Sequence, residues 1–258
     1  YGDYRIPADT IVYLTWQMPV EKRRMKNTAG REHNASFSAT YNSDKLAWTL
    51  YVSDVYAKNG FFPGSHGIPD LSRLRDDGSY RNIEMPYSTV NHFKAISNTA
   101  LSFDNGKLMI DVGVQQNDRR ELSKFHTHYS DQPLPETNPD LELSFLLNTL
   151  TVNAHLLMNE DSKWTYSVGI SSEIQQNSVG GYSFLLPEFK RYAAGAYWVN
   201  KLNVCSHLSL LAGIRYDVAR LTTKGFYDDI FAQYLAKQGY NADFVAKYAQ
   251  RATDIAKT

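Results

Sequence analysis

The chain has 258 residues with 27 basic and 27 acidic side chains, and this zero formal charge argues against a nucleic-acid partner. Apolar residues make up 43% of the chain and exclude wholesale disorder. The longest apolar runs fall far short of the roughly 20 residues of a spanning helix, and the lone Cys205 excludes an internal disulfide.

Apolar and polar side chains alternate with period two as far as about residue 221, and this alternation predicts β-strands. The alternating stretches are, in chain order, Ile11–Met18, Asn34–Asn42, Trp48–Ser53, Phe93–Phe103, Leu108–Gln115, Leu143–Leu156, Trp164–Ser171, Phe189–Val199 and Leu208–Asp217. They amount to about nine strands, many of them longer than the strands of a usual globular sheet.

The connections between these predicted strands alternate in length. Short polar turns are predicted at 42–44, 104–106, 159–163 and 200–203, whereas the connections 19–30, 59–91, 122–140 and 177–187 are long and contain Pro or Gly. In an antiparallel meander every second connection emerges at the same end of the sheet. One end is therefore expected to carry tight turns and the other to carry long loops.

Two kinds of sheet explain the alternation. A secreted β-sandwich buries one face in its core, whereas a membrane barrel faces lipid on one side and a polar lumen on the other. Here the side chains on the less apolar face of the predicted strands are small and polar. Trp48, Trp164 and Trp198 lie near short turns, as tryptophans at a membrane interface do. We therefore predict an all-β fold, an antiparallel up-and-down transmembrane β-barrel section of about nine long strands.

After Thr223 the apolar spacing becomes helical. Helices are predicted over 227–238 and 241–256, with Gly239 ending the first and Asn241 capping the second. We divide the chain into 1–223, barrel strands with short periplasmic turns and long extracellular loops, and 224–258, a short helical insertion in an extracellular loop at the C-terminal end.

One predicted strand carries polar residues at every second position from Asp111 to Glu121, so these side chains share a face. Its sequence Gly113-Val114-Gln115-Gln116-Asn117-Asp118-Arg119-Arg120-Glu121 resembles the Gly-x-Gln-x-Asn-x-Arg-x-Glu strand of TonB-dependent outer-membrane receptors. Weaker likenesses to the same family are Asn27–Glu32, Gly64–Pro69, Pro86, Pro133–Pro135 and Gly213–Asp217. The resemblance covers about residues 1–224.

Members of this family hold an N-terminal plug inside a barrel of about 22 strands. About nine strands, without a plug-like segment or energy-coupling box ahead of them, imply a middle section of such a barrel. The resemblance further implies the outer membrane of a Gram-negative bacterium, contact with its lipid, and import of a scarce ligand driven by the TonB energy-coupling complex through the plug. The family's ligands are ferric siderophores, haem, cobalamin and oligosaccharides.

The candidate ligand-binding residues are His66, Gln115, Asn117, Arg119, His126 and His128. His126 and His128 stand in a predicted outer loop beside Phe125 and Tyr129, so an iron chelate or haem is the preferred ligand. Two imidazoles without a third donor also fit a solvated loop. His66 lies in a glycine-containing turn where it could touch ligand. The other three belong to the lumen stripe, where Arg119 could meet a ligand carboxylate or Glu121 of the wall.

Catalytic constellations are absent from the sequence pattern: it contains no legible nucleophile–base pair, phosphate loop or carboxylate dyad. We therefore expect no enzymatic activity, no resident cofactor and no metal site. Two other classes stay open, a passive outer-membrane channel or adhesin-like barrel and a secreted carbohydrate-binding β-sandwich. Detergent dependence separates the sandwich from the barrels, and a plug in the intact protein separates the receptor from a passive pore.

Overall fold

The computed structural model describes residues 1–13, 15–63, 75–159 and 162–257. Its strands are β1 (Tyr4–Arg5), β2 (Thr10–Tyr13), β3 (Trp16–Pro19), β4 (Arg24–Met25), β5 (Gly30–Asn42), β6 (Leu46–Gly60), β7 (Tyr87–Phe103), β8 (Gly106–Leu122), β9 (Leu141–Met158), β10 (Trp164–Gly180), β11 (Phe189–Cys205), β12 (Leu208–Thr223), β13 (Phe226–Tyr227), β14 (Gln250–Ala252) and β15 (Ile255–Lys257). A 3₁₀ turn covers Glu21–Arg23, and the helices are α1 (Asp229–Lys237) and α2 (Ala242–Ala249).

Within these ranges, nine strands form one antiparallel sheet in the order β15-β12-β11-β10-β9-β8-β7-β6-β5. Strands β5 to β12 are 13 to 18 residues long, and each pairs with the next along the chain. The predicted β-rich fold with a large antiparallel meander is thereby confirmed. The sheet is open, because β15 pairs only with Leu221–Thr223 on one side of β12, and no described strand borders the rest of that side or the outer edge of β5.

The stretch Ile11–Met18, predicted as the first strand of the sheet, is instead the hairpin of β2 and β3. Ile11 pairs with Met18, and the hairpin lies outside the large sheet. Period-two alternation continues through both arms of a hairpin, so the pattern alone did not separate one strand from two. The ninth strand of the sheet is β15, which follows the helices.

The connections alternate in length as predicted. The short connections 43–45, 104–105, 159–163 and 206–207 define the short-turn end of the sheet, and the longer connections 61–86, 123–140, 181–188 and 224–254 define its loop end. The last short turn lies at Ser206-His207 and not at 200–203. Asn200 pairs with Tyr166 on β10 and with Ala212 on β12, and these ladders outweigh the turn preference of asparagine.

The predicted helices are present near the C-terminus, in shorter form. Gly239, with a φ of 84°, follows α1, and Asn241 caps α2 by accepting the Phe244 N–H at 2.8 Å. The second helix ends at Ala249, because the chain turns into β14 and β15 and returns to the large sheet.

One face of the sheet carries an apolar band toward the short-turn end. A typical register row across it, from β5 to β12, is Tyr41, Trp48, Thr99, Ile110, Ala154, Ile170, Ala196 and Tyr216. Ile170 is 61% exposed and Tyr216 is 74% exposed. A continuous exposed apolar face of this extent is typical of a surface that meets a partner or a membrane.

A polar row bounds the apolar band on the side of the loop end. From β6 to β12 its polar residues are Asp54, Gln116, Asn148, Gln176, Lys190 and Thr222, and Phe93 of β7 interrupts the row in register between Asp54 and Gln116. Gln116 Nε2 donates to Asn148 Oδ1 at 2.9 Å. Further toward the loops the same face of β8 carries Asp118 and Arg120, so the apolar band covers only part of each long strand.

Asn27 joins the N-terminal segment to the loop end of the sheet. It is buried at a φ of 61°, and its Nδ2 lies 2.9 Å from each of the carbonyl oxygens of Phe61, Glu84 and Pro86. A Cβ at residue 60 would lie 2.4 Å from the Asn27 carbonyl oxygen, so this close approach requires Gly60. The segment 27–30 thereby joins the two ends of the connection 61–86, at Phe61 and at Glu84 and Pro86, to the start of the first long strand.

Candidate ligand-binding site at the loop end

The polar stripe of β8 lies on the face opposite the apolar band. Gln115, Asn117 and Arg119 occupy alternate positions of one strand and therefore share this face, as predicted from their spacing. The Gln115 Oε1 atom lies 3.4 Å from His92 Nε2 on β7. The Arg119 guanidinium pairs with the Glu121 carboxylate, so the wall itself supplies a partner for this arginine.

A second polar cluster lies on the same face, across β10 to β12. The Arg215 guanidinium donates to Asp217 Oδ2 at 2.7 Å and to Ser171 Oγ at 3.1 Å, and Arg191 pairs with Glu173. These side chains line a shallow groove of about 480 Å³. Each arginine has a carboxylate of the wall as its partner, so the groove is balanced in charge.

The predicted histidine pair lies in the connection 123–140 at the loop end. The exposed rings of His126 and His128 have centroids 4.7 Å apart, and the backbone N–H of His128 donates to Gln132 Oε1 at 2.7 Å. Among the described residues, no group of three or more His, Cys, Asp or Glu side chains could hold a metal ion. The remaining predicted residue, His66, lies outside the described residues.

The aromatic residues that flank the histidines pack against other segments. The Phe125 ring meets the Tyr182 ring edge to face, with centroids 5.2 Å apart. The Tyr129 ring stacks on Tyr234 of α1 at 4.4 Å and lies 5.8 Å from Phe231. These contacts tie the connection 123–140 both to the connection 181–188 and to the helical segment.

The three segments enclose a cleft, here named the aromatic cleft, with two adjoining chambers of about 340 and 430 Å³. The residues that line both chambers are Tyr129, Gln132, Tyr182, Ser183, Phe184 and Asp228. The Phe184 ring stacks on Phe226 at 4.9 Å with an interplanar angle of 8°. The volumes fall in the range of small-molecule pockets, which combine apolar walls with a few polar groups.

Charged side chains at the aromatic cleft are paired with each other. The Arg251 Nη2 atom lies 3.5 Å from Asp228 Oδ2, and its guanidinium lies 4.6 Å from the centre of the Phe231 ring. The Lys224 Nζ atom lies 3.3 Å from Glu188 Oε2. The two cations and two anions cancel, so these side chains leave the cleft without net charge.

Two tyrosines of the cleft are held in their neutral form. Burial, together with the charge of Glu142, raises the pKa of Tyr182 to about 12, although its hydroxyl donates to the Ser123 carbonyl oxygen at 3.2 Å. Burial and the charge of Asp228 raise the pKa of Tyr129. At neutral pH both hydroxyls are therefore protonated; the Tyr182 proton is donated to Ser123, and the Tyr129 hydroxyl can donate into the cleft.

Sequence reasoning named Tyr129 only as a neighbour of the histidines, and it missed Phe184, Phe226 and Arg251. The available signal was the density of aromatic residues in the loop-end connections and after Thr223. That density does not reveal which rings meet, because the partners Tyr129 and Tyr234 are far apart in the chain.

No protein-family model and no curated protein matches this sequence. In the part of the chain that the structure describes, no helix is both long enough and apolar enough to cross a membrane.

Proposed function

We propose that the chain is part of the barrel wall of a TonB-dependent outer-membrane receptor, which captures a scarce ligand and imports it into the periplasm of a Gram-negative bacterium. The observation that carries this proposal is the apolar band of the long-stranded meander. Lipid is the partner that suits an exposed apolar face of this kind, and a polar lumen suits the opposite face.

The exposed side chains of the band favour lipid over water. Ile214 is 70% exposed and Phe37 is 64% exposed, and each gains free energy when it leaves water for hydrocarbon. Trp48 and Trp164 lie on the same face near the short-turn end, which suits the aromatic girdle of a membrane interface. Trp164 Nε1 donates to Asn200 Oδ1 at 3.2 Å, as the polar edge of an interfacial indole requires.

The strand lengths fit a barrel that rises above the membrane. A tilted span needs about 9–11 residues, whereas β8 has 17. On the lipid side, the band of β8 ends at Val114 and the polar row begins at Gln116. The surplus residues of each strand would extend the wall beyond the lipid and carry the loops outward.

The open edges of the sheet fit a section of a larger barrel. β15 runs antiparallel along Leu221–Thr223, in the direction that the next strand of a meander takes. In the proposed receptor, further strands pair with β12 and with β5, because backbone groups within hydrocarbon need hydrogen-bond partners.

A receptor is favoured over a passive channel or an adhesin-like barrel by the stripe that contains Gln115, Asn117 and Arg119, through which the chain resembles the receptor family. A secreted β-sandwich would need a second sheet over the exposed Ile170 and Ile214.

The TonB energy-coupling complex and the plug are proposed as partners because of the resemblance to the receptor family. An iron chelate or haem stays a predicted ligand, for which His126 and His128 would be the donors.

Cell fractionation and uptake test this proposal on the intact protein in its native host. We expect the protein in the outer-membrane fraction. Deletion of the TonB complex should abolish uptake of the imported ligand, with haem, a ferric siderophore, cobalamin and an oligosaccharide as labelled probes, and leave the amount of receptor unchanged. Uptake that survives the deletion would indicate a passive channel, and recovery in the soluble fraction would indicate a sandwich.

A further inference from the structure

We infer that the aromatic cleft binds a neutral, polyhydroxylated ligand, an oligosaccharide. The cleft brings together the connection 123–140, the connection 181–188 and the segment that begins at Lys224. The inference rests on the proposed function for its extracellular location, and it assigns the class of ligand from the lining of the cleft.

The lining alternates aromatic and hydrogen-bonding groups. Tyr129, Tyr182 and Phe184 contribute rings to both chambers, and Gln132 and Ser183 contribute an amide and a hydroxyl. A pyranose ring has apolar C–H faces and a rim of hydroxyl groups, so it needs flat apolar surfaces with donors and acceptors between them. The neutral phenol of Tyr129 adds a donor to this set, and the Tyr182 oxygen adds an acceptor, because its proton is donated to the Ser123 carbonyl oxygen.

The charges at the cleft favour a neutral ligand over an anionic one. The carboxylates of a siderophore or of haem would need a free cation, whereas Arg251 pairs with Asp228 and Lys224 pairs with Glu188. An additional anion beside these pairs would lose water without gaining an unpaired partner. A hydroxylated neutral ligand needs no countercharge.

The position of the histidines also separates the cleft from a haem site. His128 and Tyr234 line only the chamber of about 430 Å³, and His126 is not among the residues that line either chamber. Of the two histidines, only His128 is therefore placed to coordinate the iron of a haem bound in the cleft. The two chambers share six lining residues, and the inferred oligosaccharide contacts both chambers.

The test is a titration of the intact receptor in detergent micelles by isothermal calorimetry. The neutral probes are maltohexaose, cellohexaose, xylohexaose and mannohexaose, and the anionic probes are oligogalacturonate, haem and ferric citrate. We expect at least one neutral oligosaccharide to bind. Phe184→Ala, which removes a lining ring, and Ser183→Trp, which fills the cleft, should each weaken that binding at least about tenfold.

Leu185→Ala is the matched control, because Leu185 is 64% exposed in the same connection and lies outside the lining. It should leave the affinity unchanged. The inference is overturned if no neutral probe binds, if only haem or ferric citrate binds, or if neither cleft variant alters the affinity. Outer-membrane fractionation of the same samples keeps the two proposals apart: correct membrane assembly without oligosaccharide binding counts against the cleft alone, whereas a soluble protein counts against the receptor.

Discussion

At the scale of single residues, Tyr182 illustrates how the loop end is held together. Its hydroxyl donates to the Ser123 carbonyl oxygen, just after the end of β8, and its ring contacts the ring of Phe125 in the same connection as Ser123. This one side chain therefore links the connection 181–188 to the connection 123–140. The same burial that makes it a structural link raises its pKa.

Tyr182 predicts a loss of stability at alkaline pH. Its pKa is about 12 in the folded protein and about 10 in the unfolded chain. The folded state holds the proton more tightly, so the contribution of Tyr182 is complete below pH about 10 and is lost as the pH rises to about 12. Tyr182→Phe should therefore lose thermal stability less steeply than the wild type in this window, measured by circular dichroism in detergent.

The exposed Tyr240 supplies the control for this experiment. Tyr240→Phe should retain the wild-type pH dependence, since its ring lies outside the contact between the two connections. The same slope in Tyr182→Phe and in the wild type would contradict the role of this phenol.

The histidine pair makes a separate prediction about iron ligands. For any haem or ferric chelate that binds the intact receptor, replacement of His126 and His128 by alanine should weaken binding at least tenfold, about 1.4 kcal/mol. The amount of barrel in the membrane should stay the same, because both rings are exposed. His207→Ala, at the short-turn end, is the control. Unchanged affinity in the double variant would remove the pair from the site.

At the scale of elements, the long strands have an apolar face and a polar face. On β10, Val168 and Ile170 face the apolar side, while Ser167 and Ser171 face the polar side. The register carries this division across neighbouring strands, and the row that contains Gln116, Asn148 and Gln176 ends the band at the same level on β8, β9 and β10. The elements therefore define an apolar side and a polar side of the sheet, and on the central strands they define the level at which the apolar band ends.

Arginine substitutions on the two faces should have unequal effects. Val168→Arg and Ile110→Arg place a charge in the apolar band that we propose to face lipid, where a charge near the midplane costs about 2–4 kcal/mol. Ser167→Arg, the adjacent position on the polar face, is the matched control and should assemble better. The measurement is the amount of folded receptor in the outer membrane. Equal damage on both faces would argue against a barrel.

The two ends of the sheet should lie on opposite sides of the membrane. In a variant without Cys205, cysteines at Thr127 and Lys237 of the loop end should react with an impermeant thiol reagent on intact cells. A cysteine at Asn105, in a short turn, should react only after the outer membrane is permeabilised. Labelling of Asn105 on intact cells with protection of the other two would invert the proposed topology.

At the scale of the whole molecule, most of the structure is a single layer. Among the residues that the structure describes, few apolar side chains are buried, and these include Met18 and Val20 near the N-terminal hairpin and Leu235 and Ala249 in the helical segment. The large sheet contributes little to a conventional core, because its apolar face is exposed. Its stability in water therefore depends on what covers that face and those edges.

Because the sheet is a single layer with an exposed apolar face, we expect the chain to need detergent to remain dispersed. Residues 1–258 without detergent should aggregate, because unpaired strand edges and an exposed apolar face associate with other copies. Detergent micelles should keep the chain dispersed, as measured by size-exclusion chromatography with light scattering. A monodisperse chain in plain buffer would contradict the barrel proposal and favour a β-sandwich.

The sequence by itself determined the elements and their order. Period-two alternation located eight of the long strands, and Gly239 and Asn241 located the break between the helices, because these signals depend on neighbouring residues alone. The shared face of Gln115, Asn117 and Arg119 follows from the same local geometry.

The tertiary structure decided where pairing overrides local preference and which distant segments meet. Asn200 continues β11 because strands on both sides offer hydrogen bonds, and the stretch Ile11–Met18 folds back on itself outside the sheet. The aromatic cleft arises in the same way, since Tyr129, Phe184 and Asp228 come from three segments that only the register of the sheet brings to one place. Contacts between residues far apart in the chain depend on the global arrangement of strands, which a local pattern of side chains does not encode.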